Sequence, residues 1–235
     1  MPIALALAAA AAVVPVAASS AAPRASVTID LTRPFETRTP WRLTATQGAP
    51  IPDPILGEGK APAVVRLCLG HPQGRACRPD LSRLLVPPGG ADAYAEAHEL
   101  LDARIVRPRA RAPLLLLRVG SLQGVNGDQR IATALLAYDR ASDRFVPVFI
   151  KRTGRNNNQE VRYVATGPLA GNVVSAEPTS DAPFAYWITV SAPADGAQPY
   201  RQLLGYRSGV RYGDGDPRAV IDAEMPAILR RLHRP

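Results

Sequence analysis

Residues 113–164 carry the pattern that most narrows the folds open to this chain. Leu114 to Leu117 form an unbroken apolar run, as expected of a strand covered on both faces. Gln129 to Tyr138 and Arg144 to Ile150 read as two further strands, joined by the polar turn 139–143. A fourth strand starts near Gln159, with Val161 and Tyr163 on one face and Arg162 on the other. Strands this close together, separated by polar turns, point to antiparallel sheet. The 24 prolines and 18 glycines agree, because they favour short elements with many turns.

The rest of the chain extends this pattern. Ser26 to Leu31, Trp41 to Thr46, Asn172 to Ala176, Ala185 to Ser191 and Tyr200 to Tyr206 have strand composition. Pro50, Pro52 and Pro54, followed by Gly57 and Gly59, read as a loop, since proline removes a ladder donor. Leu81 to Val86 is a short apolar piece before a Pro-Gly stop. Residues 91–104 are rich in alanine, glutamate and leucine, with Asp92 as a cap, and predict a helix carrying His98. A C-terminal helix is expected after Asp216 as cap and Pro217 as first residue. Ile221, Met225, Ile228, Leu229 and Leu232 share its apolar face, and Pro226 is expected to kink or break it.

Residues 135–138 and 203–206 echo each other, Leu-Leu-Ala-Tyr against Leu-Leu-Gly-Tyr. Such a repeat permits a propeller-like unit, although too little chain remains to close a ring. The expected fold is mainly β: antiparallel sheets packed as a sandwich, open barrel or partial propeller, with one inserted helix and a C-terminal helix. Residues 23–235 are expected to form one domain.

The start of the chain bears on compartment. Residues 3–18 are apolar and small residues follow to Ala22, which predicts a signal peptide over residues 1–22. The first positive side chain, Arg24, comes only after this run. The run is shorter than the ~20 residues a spanning helix needs, so no integral membrane span is expected once the signal is removed. Cys68 and Cys77 are the only cysteines, and an even pair in an exported chain predicts a disulfide. Alternation puts Val65, Leu67 and Leu69 on one face of their strand and Cys68 on the other. The turn from His71 to Arg75 then lets Cys77 return to it. The expected location is periplasmic or secreted.

The sequence carries no recognised catalytic motif. It has no nucleophile elbow, no Walker loop and no dinucleotide-binding glycine motif. His71, His98 and His233 lie in a turn, on the expected helix and near the end, and none has the setting of a general base. No catalytic residues, metal ligands or cofactors are expected. The net charge of +8 is spread along the chain and aromatics are only 6%, so nucleic acid is not expected as a partner. Positive charge in the envelope instead suits an envelope protein or an anionic polysaccharide.

Two groups of polar residues invite functional readings. Glu160, Glu177, Asp181, Asp214 and Asp216 fall in loops or at strand ends, where a facing pair could hydrolyse a polysaccharide. The loops 126–129, 156–160 and 214–216 are rich in side-chain oxygens, although none matches an EF-hand. Asn156, Asn157 and Asn158 are more amides than a turn requires. With Gln159 and Glu160 they form the candidate ligand-binding segment. The leading expectation is an exported, non-catalytic β domain that binds a partner or ligand in the cell envelope. The alternatives are an envelope polysaccharide hydrolase using loop carboxylates, and an inhibitor of a secreted enzyme presenting the loop from His71 to Arg75.

Overall fold

The computed structural model describes residues 25–74, 76–86, 95–109, 111–154, 159–209 and 220–233. The chain starts with strand β1 (Ala25–Asp30), the one-turn helix α1 (Thr32–Phe35) and β2 (Arg42–Gln47). A short ribbon, β3 (Ile51–Pro52) with β4 (Lys60–Ala61), precedes β5 (Val65–Gly70) and helix α2 (Leu81–Leu85). Four strands follow: β6 (Glu99–Val106), β7 (Leu114–Gly120), β8 (Arg130–Asp139) and β9 (Arg144–Gly154). Then come β10 (Glu160–Tyr163), β11 (Val173–Pro178), β12 (Tyr186–Ala192), β13 (Arg201–Arg207) and helix α3 (Val220–Leu232). All strand pairings are antiparallel, and no sheet closes into a barrel among the described residues.

The sheets stack in layers, the sandwich among the expected arrangements. The first sheet has the order β1-β2-β5, the second β6-β7-β8-β9 and the third β10-β11-β12-β13. Trp41, just before β2, and Leu43 and Leu69 of the first sheet meet Leu115, Leu117, Leu136 and Phe145 from the second. The opposite face of the second sheet sends Leu114, Leu116, Leu135 and Val148 against Val161, Tyr163 and Val173 of the third. Val174, Ala176, Ile188 and Val190, on the far face of the third sheet, are covered by Ile221 and Ile228 of α3. The middle sheet is therefore buried on both sides. This is why Leu114–Leu117 shows no alternation: each leucine has a core to enter, worth about 1.5–3 kcal/mol per side chain.

Some expectations need correction. Residues 99–104 belong to β6, not to a helix, while residues 91–94 lie outside the described set. Helix propensity there is overridden by the ladder to β7, which pairs Ala103 with Leu117 and Ile105 with Leu115. His98 is consequently buried in the segment before β6, with Nδ1–H donating to the Pro62 carbonyl at 2.7 Å. The inserted helix is α2, over the apolar piece left unassigned, and Asp80 caps it by accepting from the Ser82 and Arg83 amides. The C-terminal helix continues through Pro226 instead of ending there, with its apolar residues packed as expected. Its expected cap at Asp216 and Pro217 lies outside the described residues.

Cys68 and Cys77 form a disulfide with a Cα–Cα distance of 4.9 Å. Val65, Leu67 and Leu69 are buried while Cys68 faces outward, as alternation requires. The bridge fastens the segment after β5 to its outer face, where Arg78 N–H also donates to the Leu69 carbonyl at 2.7 Å.

Candidate functional site

One concavity lies between two loops that chain order keeps far apart. One is the turn of the β3–β4 ribbon and the other joins β7 to β8. It encloses about 260 Å³ and is lined by Ile55, Leu56, Lys60, Glu99, Gln123 and Val125 among others. That is just below the usual range for small-molecule pockets, so it suits one side chain or a short segment more than a large cofactor.

Local chemistry shapes both walls. Asp53 Oδ1 accepts from the backbone amides of Ile55 (2.7 Å) and Leu56 (3.0 Å), folding the ribbon tip into an Asx-type turn. Gly57 and Gly59 close it with φ of 73° and 81°, a region glycine enters freely. On the opposite wall the Gly124 amide donates to the Asp128 carbonyl at 2.7 Å, and Asn126 Oδ1 accepts from the Asp128 amide at 3.0 Å. Loop 126–129 thus uses its asparagine as a turn residue. Both turns push apolar side chains outward: Leu56 is 59% exposed and Val125 77%.

The floor carries a positioned carboxylate. Glu99 Oε2 accepts from Gln129 Nε2 at 2.8 Å, and the same Nε2 donates to the Ser121 carbonyl at 2.9 Å. Gln129 is only 1% exposed, so its amide is an internal strut. Gly120 makes room for it, because a Cβ there would sit 2.7 Å from Gln129 Nε2. Exposed Ile55, Leu56 and Val125 thus share the lining with the fixed carboxylate of Glu99 and with Lys60 and Asp53.

A second cluster joins the first and second sheets. Asp143, in the β8–β9 turn at φ 50°, accepts from Tyr138 OH (2.5 Å), Trp41 Nε1 (3.2 Å) and Thr39 Oγ1 (2.8 Å). The hydrogen bond from Tyr138, then those from Thr39 and Trp41 and the proximity of His71, hold its carboxyl below the ordinary carboxylate value against the cost of desolvation. His71 Nδ1–H donates to the Pro40 carbonyl at 2.9 Å, and the ring packs tilted against Trp41, with centroids 4.4 Å apart and 50° between the planes. A Thr-His-Asp set superficially resembles a nucleophile with its base. Here the Thr39 hydroxyl proton is directed to Asp143, and the nearest His71 nitrogen carries a proton of its own. The geometry is that of a clasp between sheets.

The expected ligand-binding segment divides. Asn156, Asn157 and Asn158 lie outside the described residues. Gln159 Oε1 accepts from the Gly154 amide at 3.1 Å. Glu160 accepts from Arg162 Nε at 2.6 Å, and Arg162 also binds Asp222 of α3. Glu160 thereby belongs to a link between the third sheet and its helix. Glu177 pairs with Lys151 at 2.5 Å and Asp181 with Arg207 at 3.2 Å, while Asp214 and Asp216 lie outside the described residues. Glu160 pairs with Ala176, so Glu177, one residue on, points to the opposite face of the sheet. The structure therefore does not bring this carboxylate pair together.

No group of three or more histidine, cysteine or acidic residues placed to hold a metal occurs among the described residues. The groove residues themselves were missed from sequence. One signal was available: Ile55 and Leu56 form an apolar pair inside a proline- and glycine-rich loop, where a core partner is not expected. Comparison of the chain with family models, with curated proteins and with solved structures finds no match.

Proposed function

We propose that this chain is an exported, non-catalytic β domain that binds a partner in the cell envelope through the groove between the β3–β4 ribbon and the β7–β8 loop. The groove itself carries the reading: an apolar rim that no core requires, set over a carboxylate held in place by a buried glutamine. Exposed apolar side chains clustered around a concavity mark binding surfaces more often than chance. An acidic floor on a chain of net charge +8 selects for a cationic group against the field of the whole molecule. The disulfide and the signal-like start support an oxidising compartment. Among the described residues no helix is long and apolar enough to cross a membrane.

Calorimetric titration with short peptides tests this reading. Peptides pairing leucine or valine with lysine or arginine should bind the wild type, and the same peptides with glutamate should not. Glu99→Gln should remove the preference for the cation, and Val125→Asp should weaken binding at least tenfold. Equal binding of both charge types, or a preference that survives Glu99→Gln, would refute the groove. Export is tested separately: expressed with its own start in a bacterial host, the mature chain should begin near residues 19–25, outside the cytoplasm. Intact Met1 in the cytosolic fraction would contradict it.

A further inference from the structure

A guanidinium lies without a counter-ion between the second and third sheets. β7 is an inner strand of the second sheet, and alternation puts Leu114, Leu116 and Arg118 on its face toward the third. The two leucines enter the core there, while Arg118 is half-buried. Its Nε is buried with no hydrogen-bond partner, and the side chain makes no ion pair among the described residues. Thr133 stands directly opposite on β8. It is 1% exposed, and its Oγ1 also has no partner. Side chains in such a cross-strand pair share a face, with Cβ atoms roughly 5 Å apart. Tyr163 brings a further buried hydroxyl without a partner to the same layer.

The neighbouring charges do not complete these groups. Asp102, opposite Arg118 on β6, binds Arg104 at 3.1 Å. Lys151, opposite Thr133 on β9, binds Glu177 of β11 at 2.5 Å. Glu99, opposite Gly120 on this face, is engaged by Gln129. Each of these carboxylates already has a donor, and Arg118 is the cation left over. The side chains of Asp102, Lys151 and Glu177 are 25%, 25% and 37% exposed, so the layer opens to solvent at this end.

A trapped water would complete the Thr133 hydroxyl, but it would leave the guanidinium charge uncompensated in a partly desolvated layer. An oxyanion completes both. Its oxygens accept from Arg118 Nε–H and from the Thr133 hydroxyl, and it supplies the missing charge. We infer that Arg118 and Thr133 form a binding site for an oxyanion, entering between the second and third sheets with Lys151 at its flank. This site is separate from the groove and does not rest on it.

The test titrates the full chain with inorganic phosphate and with a glucuronate disaccharide, against sodium chloride at matched ionic strength. NMR follows the Arg118 Nε–Hε resonance. At least one oxyanion should shift that resonance and slow exchange of its proton, and chloride should not. Tighter binding of phosphate would identify a free ion as the source, and tighter binding of glucuronate the acidic group of a glycan. Thr133→Val removes a hydroxyl that no protein group uses, so folding should survive, as read from an unchanged denaturation midpoint. Loss of a hydrogen bond to a charged group should weaken binding at least about tenfold. Arg118→Gln should abolish binding, and Arg118→Lys, which returns the charge without the planar fork, should restore only part of it. The groove variant Val125→Asp should leave it unchanged. A response no larger than that to chloride, or an affinity unchanged in Thr133→Val, would overturn the inference. The second result would assign the hydroxyl to a buried water.

Discussion

The indole N–H of Trp41, just before β2 in the first sheet, donates to the carboxylate of Asp143, in the β8–β9 turn of the second, at 3.2 Å. Tyr138 and Thr39 bind the same carboxylate, so one turn residue ties together segments more than a hundred positions apart. Beneath it, Trp41, Tyr138 and Phe35 pack around Phe145 with ring centroids 4.9–5.4 Å apart. Asp143→Ala leaves three donors without their shared acceptor and places alanine at positive φ. The expected cost is about 1–3 kcal/mol of stability. Asp143→Asn keeps an acceptor and tolerates that backbone conformation, so it should cost less. Chemical denaturation measures both, and an unchanged midpoint for the alanine variant would show that the clasp contributes nothing.

Acid should weaken the molecule through two carboxylates. Asp143 is held below its ordinary value first by Tyr138, and Asp222 first by its pair with Arg162. A folded value depressed below the unfolded one means stability that is complete above the unfolded value of 3.8 and is lost as pH falls through the lower folded value. Stability should therefore be flat near neutrality and fall below about pH 4, where unfolded carboxylates begin to bind protons. Asp143→Asn and Asp222→Asn should each flatten that fall, as read from denaturant midpoints between pH 2 and 6. Asp222 is exposed and Asp143 half-buried, so solvent screening keeps the change modest, most of all at Asp222.

Removing the Cys68–Cys77 bridge should be costly despite its short loop. Nine positions separate the two cysteines. The loop-entropy relation then assigns about 2–3 kcal/mol. The double variant Cys68→Ala with Cys77→Ala should lose that amount in urea unfolding, and thiol titration of the unreduced, unfolded wild type should find no free thiol.

Gly120→Ala probes the floor of the groove from beneath. The new methyl would collide with the Gln129 amide, which is buried and cannot swing into solvent. Overpacking of this kind typically costs about 1–3 kcal/mol. It should also release Glu99, seen as a shift of the Glu99 side-chain carboxyl resonance in a carbon-detected NMR titration. Retention of both stability and that resonance would mean that Gln129 is not the strut.

Alternation in the sequence determined most strands and the outward face of Cys68, the cysteine count determined its pairing with Cys77, and helical spacing determined the apolar face of the C-terminal helix. These are local features, encoded in which side chains must be buried. The unbroken leucine run from Leu114 also announced a strand with a core on both sides. Only the tertiary structure decided against what each element is buried. The four strands read from residues 113–164 divide between two sheets: β7, β8 and β9 form the middle layer, while β10 crosses to the third. Residues 99–104 have helix propensity worth tenths of a kcal/mol each, yet the cross-strand bonds to β7 outweigh it. The groove was illegible for the same reason. Leu56, Glu99 and Val125 meet because separate sheets set their loops side by side, and no spacing along the chain records that meeting.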